Sequence, residues 1–189
     1  MGDDERRRPF GLWYEPPETS DWDLSPRPAS ASAVQLIELM DITQSNILGN
    51  IHGGTVMKLV DTAGGLAAFK HCGGPVVTVA LDEMTFMEPV FVGEVLIVKA
   101  MVNDTGRTSL EVGVRVESEN VRTGRRVHTS SAYLVYVALD SQGKPREVPP
   151  VVPGDDEERQ RQHEAKLRRE ARLTRKEAIL RARAARGET

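Results

Sequence analysis

The sequence has a single cysteine, Cys72, in 189 residues, so no disulfide can form within the chain. One thiol fits a reducing compartment, which predicts a cytoplasmic location. A cysteine nucleophile would need a partner base, and the adjacent His71 points elsewhere if both residues lie on a helix. We therefore expect Cys72 to be a buried structural thiol.

The sequence also lacks an excess of positive charge. Its formal net charge at pH 7 is −3, which argues against a nucleic-acid-binding protein. The first 29 residues contain no apolar run, so we expect neither a signal peptide nor a membrane span there.

Three kinds of functional site are missing from the sequence. Its four histidines are His52, His71, His128 and His163. They fall in separate predicted elements without the spacing of metal ligands, so no metal site is expected. There is no Gly-x-Ser-x-Gly motif of a serine hydrolase, and the glycine pairs do not match a nucleotide-binding loop.

Composition divides the chain into three parts. Residues 1–29 are rich in proline and scattered aromatic residues, which predicts an extended arm that is either disordered or anchored by its tryptophans. Residues 30–153 form the only predicted domain. Residues 154–189 begin with acidic residues and end with arginines, the order that favours a helix. We interpret this tail as a solvated helix along the domain or a partner subunit, in preference to a nucleic-acid or membrane contact.

Apolar patterns of strand length predict five strands in the domain. They are expected at about 33–42, 76–87, 94–103, 108–118 and 126–139. The connections between the last four are short and turn-like, so we expect these strands to pair in order as an antiparallel meander. One helix against such a sheet makes an α+β domain.

The helix is predicted between the first two strands. From Gly54 onward, apolar residues recur at spacings of three and four, as on the buried face of an amphipathic helix. They are Val56, Leu59, Val60, Ala63 and Ala67. The run Gly73-Gly74-Pro75 predicts where the helix ends.

Asp61 does not fit this helix. It lies away from the apolar stripe, on a face that it shares with Met57, Gly64, Gly65 and Ala68. A carboxylate among small and apolar residues suits neither a surface helix nor a closed core. The two glycines each cost about 1 kcal/mol in a helix interior. We infer that some other group approaches this face closely.

The start of the helix carries a second signal. The run His52-Gly53-Gly54 places unblocked backbone N–H groups at a helix N-terminus. Such groups can hold a phosphate or a developing oxyanion.

These motifs carry a family resemblance. They are Asn46-x-x-Gly49-x-x-His52-Gly53-Gly54, Met57-Lys-Leu-Val-Asp61, Ala80-Leu-Asp82 and Phe86-Met-Glu-Pro-Val90. Together they resemble the hotdog-fold acyl-CoA thioesterases, and most closely the cytosolic long-chain acyl-CoA hydrolase group with its bacterial single-domain members. The run from Ser130 to Leu139 and the charged tail after Pro153 extend the resemblance over about residues 30–175.

The resemblance implies a hotdog fold, in which an antiparallel sheet of five to six strands wraps a long central helix. It also implies dimers with one continuous sheet, assembled as a hexamer. The implied activity is hydrolysis of fatty acyl-CoA, with no cofactor because coenzyme A is part of the substrate. A regulator that binds acyl-CoA without catalysis is the alternative, and it would not need Asp61.

The family's catalytic pair carries over to Asn46 of one subunit and Asp61 of the other. Asp61, as a partly buried carboxylate, would act as general base or nucleophile while Asn46 orients water or substrate. The thioester carbonyl would accept hydrogen bonds from the N–H groups of Gly53 and Gly54.

The resemblance also suggests further contacts with the substrate. They are His52, Met57, Gly65 and the turn formed by Gly106, Arg107, Thr108 and Ser109. Simpler interpretations stay open for three of these features. Asn46 can be a turn residue, His52 can hold the loop to the helix, and the turn can be a plain hairpin.

Overall fold

The structure is a computed structural model that describes residues 22–187. Its elements in chain order are β1 (Arg27–Pro28), β2 (Val34–Leu39), α1 (Gly53–Cys72), β3 (Val76–Phe86), β4 (Glu94–Thr105), β5 (Ser109–Asn120), β6 (Arg126–Ala138), β7 (Val151–Val152) and α2 (Asp156–Ala184). Short 3-10 turns flank β2 at Ala29–Ser32 and Ile42–Gln44.

Five of the strands form one antiparallel sheet in the order β2-β4-β5-β6-β3. The predicted α+β class and the five predicted strands are confirmed, each within a few residues. β1 and β7 add only a separate two-residue parallel pair.

The predicted meander is right for β4, β5 and β6 but wrong for β3. β3 pairs with β6 at the far edge of the sheet, so the segment 88–93 is a crossover and not a hairpin turn. The crossover is held by distant partners. The Met87 N–H donates to Thr129 O at 2.8 Å, and the Ile51 N–H donates to Val90 O at 2.8 Å.

Helix α1 packs on one face of the sheet, with the predicted apolar stripe buried. The stripe residues Val60, Ala63 and Ala67 are at most 1% exposed, and they meet the inward-facing side chains of the sheet in a single core. The helix ends at Gly73, whose φ of 69° is left-handed, as the glycine pair predicted.

Helix α2 lies on the other face of the sheet and is held there by ion pairs. Arg168 binds Glu111 of β5 at 2.7 Å, with side-chain exposures of 18% and 6%, and stacks on Tyr133 of β6 at 3.6 Å. Arg172 pairs with Asp82 of β3. The charged tail is therefore a helix, and its first half lies along the domain.

The described end of the N-terminal arm is anchored on the domain. The guanidinium of Arg146 lies 3.4 Å from the ring of Trp22, and Arg27 donates to the backbone oxygen of His71 at 2.7 Å. Anchoring by a tryptophan is thus confirmed for Trp22, while the aromatic residues between 10 and 14 lie outside the described residues. Within residues 22–187, no helix is both long and apolar enough to cross a membrane.

Cys72 is 2% exposed at the end of α1. Burial raises the pKa of its thiol to about 11. The structure therefore agrees with the structural interpretation of this cysteine, because a thiol with so high a pKa is a poor nucleophile at neutral pH.

The burial of Cys72 predicts slow alkylation. At pH 8 a thiol with a pKa of about 11 is ionised to roughly one part in a thousand. We expect iodoacetamide to modify the folded protein at least about 100-fold more slowly than the urea-unfolded chain, as followed by intact mass. Equal rates for the folded and unfolded protein would contradict the buried placement.

Candidate active site

Asp61 lies on α1, where two hydroxyl groups from the sheet reach it. The Thr78 hydroxyl of β3 donates to Asp61 Oδ1 at 2.7 Å. The Tyr136 hydroxyl of β6 lies 3.1 Å from the backbone oxygen of Asp61 and 3.4 Å from Oδ1. Within the described residues no group donates to Oδ2. One carboxylate oxygen is therefore fixed in place while the other is available for chemistry.

Tyr136 is 1% exposed, so its hydroxyl is a buried group. Burial raises the pKa of Tyr136 well above its usual value, and the nearby charge of Asp61 adds to this shift. The hydroxyl therefore keeps its proton throughout the neutral range. It is a permanent donor to Asp61.

The ring of Tyr136 is the group that approaches the small face of α1. A Cβ at Gly64 would overlap the Tyr136 hydroxyl and would lie 3.2 Å from Cζ. A Cβ at Gly65 would lie 3.8 Å from the same ring, an ordinary contact. The close approach inferred from the sequence is thus explained at Gly64, while Gly65 faces more open space.

The expected partial burial of Asp61 is not found in the single chain. Asp61 and Thr78 are exposed, and Met57, one turn earlier on α1, is 43% exposed. The reason is position: this side of α1 lies over β3, the last strand of the sheet. Within residues 22–187, no further strand covers the carboxylate.

Asn46 lies in the loop before α1 and organises that loop. Its Oδ1 accepts the backbone N–H groups of Leu48 at 2.8 Å and Asn50 at 3.3 Å. The structure thus shows the turn-residue interpretation of Asn46, but its side-chain NH₂ has no acceptor within residues 22–187. No hydrogen bond joins Asn46 to Asp61 in the same chain.

His52 caps the start of α1. Its Nδ1 accepts the N–H of Gly54 at 2.9 Å, so His52 holds the loop to the helix as one of its two interpretations states. The expectation that Gly54 also donates to a substrate is at odds with this bond. Gly53 keeps its N–H without an acceptor in the described part of the chain.

The turn of Gly106, Arg107, Thr108 and Ser109 is a closed hairpin. The Gly106 N–H donates to Ser109 O at 2.7 Å. The guanidinium of Arg169 lies so close over Gly106 that a Cβ there would overlap it. No hydrogen bond links this turn to Asp61 or Asn46. The hairpin interpretation is shown, and a contact with coenzyme A stays a prediction.

Sequence reasoning missed Thr78 and Tyr136. A threonine in a strand carries no signal, because β-branched residues are ordinary there. Tyr136 had an indirect signal, since the glycine pair on α1 required a close neighbour but did not say which. Metal ligation finds no support either: within residues 22–187, no group of three or more His, Cys, Asp or Glu side chains is placed to hold an ion.

Comparison with known proteins places this chain in a family. The sequence model of the Thioesterase superfamily matches residues 48–125. A crystal structure of an apo-hexameric acyl-CoA thioesterase is 38% identical with a TM-score of 0.78, covering 80% of this chain and 97% of that chain. The fold is a hotdog fold, and the chain belongs to the thioesterase superfamily.

Two further relatives refine the placement. The cytosolic acyl coenzyme A thioester hydrolase of Mus musculus is 34% identical over 149 residues, which cover 77% of this chain but only 39% of the mouse enzyme. An acyl-CoA hydrolase from Staphylococcus aureus was solved with butyryl coenzyme A and coenzyme A. It is 31% identical with a TM-score of 0.78, covering 85% of this chain and 98% of that chain.

The same Staphylococcus aureus enzyme was also solved as three single variants, in which alanine replaces an asparagine, an aspartate or a threonine. The numbers of these three residues are separated by 15 and then 17 positions. Asn46, Asp61 and Thr78 are separated by the same intervals in this chain. The spacing therefore matches the pair predicted from the sequence and the threonine that the structure adds.

The contact between Gly64 and Tyr136 predicts opposite effects at the two glycines. Gly64→Ala should lower the free energy of unfolding by about 1 to 3 kcal/mol, because its methyl group overlaps the tyrosine hydroxyl. Gly65→Ala has room for its methyl group and should raise stability by up to about 1 kcal/mol. Urea unfolding followed by circular dichroism measures both changes.

Combining these substitutions with Tyr136→Phe tests whether the tyrosine hydroxyl causes the difference. Removing the hydroxyl should make Gly64→Ala less costly by at least about 1 kcal/mol than it is beside tyrosine. If Gly64→Ala stabilises the protein as much as Gly65→Ala does, the Tyr136 hydroxyl does not pack closely on position 64.

Proposed function

We propose that this protein is an acyl-CoA thioesterase, which hydrolyses fatty acyl-CoA to a free fatty acid and coenzyme A. The observation that carries the proposal is the Asp61 carboxylate, fixed through Oδ1 by Thr78 and Tyr136 and open at Oδ2. The spacing that Asn46, Asp61 and Thr78 share with the substituted residues of a coenzyme A-binding hydrolase supports it.

Asp61 supplies the reactive carboxylate. Its free oxygen either takes a proton from an attacking water or attacks the thioester carbonyl itself, and the fixed Oδ1 limits rotation of the carboxylate in both cases. The Gly53 N–H, at the positive end of α1, is the donor for the negative charge that develops on the carbonyl oxygen. The departing thiolate needs little acid help, because a thiol has a pKa near 8.5.

A second subunit completes the site in this proposal. Asn46 makes no bond to Asp61 within the chain, and its NH₂ group lies on a loop where Ile47 and Leu48 are 102% and 79% exposed. We assign Asn46 of one subunit to the water or substrate held by Asp61 of the other. The hexameric assembly of the similar thioesterases, including one from Yersinia pestis, supports dimers that assemble further.

The remaining contacts follow from this arrangement. Met57 and Gly65 flank Asp61 on α1 and would line the path of the acyl chain. The turn from Gly106 to Ser109 presents Arg107 and lies under Arg169, so it would meet the phosphates of coenzyme A. A cytoplasmic location accords with the cytosolic name of the mouse relative.

Asp61→Asn tests the proposed activity. The substitution keeps the shape of the side chain but removes the base, so kcat should fall by about 10² to 10⁴. Free thiol release from a series of acyl-CoA substrates measures turnover, and thermal unfolding checks that the fold is retained. Glu170→Gln, an exposed carboxylate on α2, is the matched control and should leave turnover unchanged.

Two results would count against the proposed enzymatic activity. If Asp61→Asn keeps turnover within about a few-fold, Asp61 is not the catalytic carboxylate. If the unmodified protein binds acyl-CoA but releases no thiol from any member of the series, it is a regulator.

Subunit mixing tests the shared site. Neither Asn46→Ala nor Asp61→Asn should be active alone, but a mixed dimer has one site with both residues intact. With random exchange half of the dimers are mixed, so activity should return to about one quarter of the unmodified level. Mixtures that stay inactive after demonstrated exchange would place both residues in the same chain's site.

A further inference from the structure

Two residues of β3 point to opposite faces of the sheet. The Thr78 hydroxyl binds Asp61 on the α1 side. The Asp82 carboxylate pairs with Arg172 on the α2 side. Thr78 and Asp82 are four positions apart, and in a regular strand side chains separated by an even number of positions share one face. Strand β3 therefore departs from regular alternation between these two residues.

The departure is produced by two β-bulges. In its pairing with β6, strand β3 skips Val79 and skips Asp82. Each skipped residue shifts the pairing of the rest of the strand by one position. Together the two bulges place Thr78 directly opposite Tyr136. The two hydroxyl groups that reach Asp61 therefore belong to a directly paired couple of residues on neighbouring strands.

The bulge at Asp82 decides which way Thr78 points. Without this bulge, the residues of β3 that precede it would move by one position along β6, and Thr78 would lie opposite Val137. Val137 is next to Tyr136 in β6, so its side chain points to the other face, towards α2. The Thr78 hydroxyl would then lie on the opposite side of the sheet from Asp61.

The two ends of β3 differ in how they are held. At the C-terminal end, the Met87 N–H donates to Thr129 O at 2.8 Å, and the crossover follows. At the N-terminal end, the Leu139 N–H donates to Pro75 O at 2.9 Å, and two glycines precede Pro75. Glycine adopts many backbone conformations at little cost. A change of register therefore moves the N-terminal half of the strand, which carries Thr78.

Arg172 is the group that holds Asp82 in its bulge. The Asp82 side chain is 7% exposed, and the guanidinium of Arg172, itself 21% exposed, pairs with Oδ2. The other oxygen, Oδ1, is buried and has no hydrogen-bond partner among the described residues. A buried carboxylate that loses its cation is left uncompensated, which favours any arrangement in which it reaches water. The ion pair thus stabilises the bulged register.

We propose that Arg172 is a positioning residue for the thioesterase reaction: by binding Asp82, it fixes the register of β3 in which the Thr78 hydroxyl holds Asp61. This inference rests on the proposed function, because it concerns the same carboxylate. It gives α2, which lies on the opposite face of the sheet, a part in the geometry of the site. Without Arg172, β3 exchanges between the bulged register and one in which Thr78 faces α2.

Arg172→Met tests this role through turnover. The substitution keeps most of the length of the side chain but removes its charge. We expect kcat to fall at least about ten-fold, while KM for the same acyl-CoA changes by less than about two-fold. Arg172→Lys restores a cation beside Asp82 and should return kcat to within about three-fold of the unmodified value.

Arg168→Met is the matched control. Arg168 is 18% exposed and also binds a buried carboxylate of the sheet, but that carboxylate is Glu111 of the interior strand β5. Asn103 donates to Glu111 at 3.1 Å, so this carboxylate keeps a partner when Arg168 is removed. We expect kcat of Arg168→Met to stay within about two-fold of the unmodified value.

A double-variant cycle shows whether Arg172 acts through Thr78. In a protein that already carries Thr78→Ala, Arg172→Met should lower kcat by less than about two-fold, because the hydroxyl to be positioned is absent. A general loss of structure would instead lower kcat by the same factor in both backgrounds.

Hydrogen exchange detects the change of register without turnover. The amides of residues 76–81 should exchange at least about ten-fold faster in Arg172→Met than in the unmodified protein, whereas Arg168→Met should leave them unchanged. Thiol release from acyl-CoA is measured on the same proteins. If the unmodified protein releases no thiol, the proposed function fails, and the exchange rates alone decide the inference about register.

Three results would overturn the proposal. The first is an Arg172→Met protein whose kcat stays within about two-fold of the unmodified value. The second is an equal loss of kcat in Arg168→Met, which would assign the effect to the docking of α2 as a whole. The third is unchanged exchange in β3, or an undiminished effect of Arg172→Met beside Thr78→Ala, since either would show that Arg172 does not act through this strand.

Discussion

The contact of α1 with the sheet at Gly64 determines where the carboxylate of Asp61, the proposed catalytic group, lies. The Tyr136 hydroxyl occupies the space that any side chain at position 64 would need. From there it lies within hydrogen-bond distance of both the backbone oxygen and the carboxylate of Asp61. A single close approach therefore brings together a helix, an interior strand and the proposed catalytic group. A larger residue at position 64 would separate all three.

Edge strand β3 connects the other features of the molecule. Its Thr78 hydroxyl holds Asp61 on the α1 side of the sheet, while its Asp82 pairs with Arg172 of α2 on the other side. Among the described residues, the strand is also the long unpaired edge of the sheet. Any second copy that pairs with β3 would thus lie beside the proposed catalytic group. The same strand thus positions Asp61 and provides the edge at which a second copy would pair.

Much of the fold could be predicted from local patterns. The stripe on α1 and the alternation along β5 are properties of neighbouring residues, so the sequence alone determines them. The place of β3 could not be predicted in this way, because the segment 88–93 resembles a hairpin turn. Its path depends on hydrogen bonds to Ile51 and Thr129, which lie about 40 residues away on either side.

In the candidate site too, some features follow from local sequence and others depend on distant contacts. Asp61 is a candidate from the sequence because a carboxylate conflicts with a small and apolar helix face, and a conflict is visible in sequence. Thr78 agrees with its strand, so its hydrogen bond to Asp61 could be found only in three dimensions.

The exposure of Asp61 links the chemistry to assembly. In the single chain the carboxylate is exposed to solvent, and a hydrated carboxylate is a weak base and a weak nucleophile. Thr78 and Tyr136 fix its orientation but do not exclude solvent, since neither hydroxyl bonds to Oδ2. A second subunit that brings Asn46 and a thioester to the open oxygen would replace that water by groups in fixed positions. Orientation is thus a property of one chain, whereas exclusion of water in the proposed site depends on a second subunit.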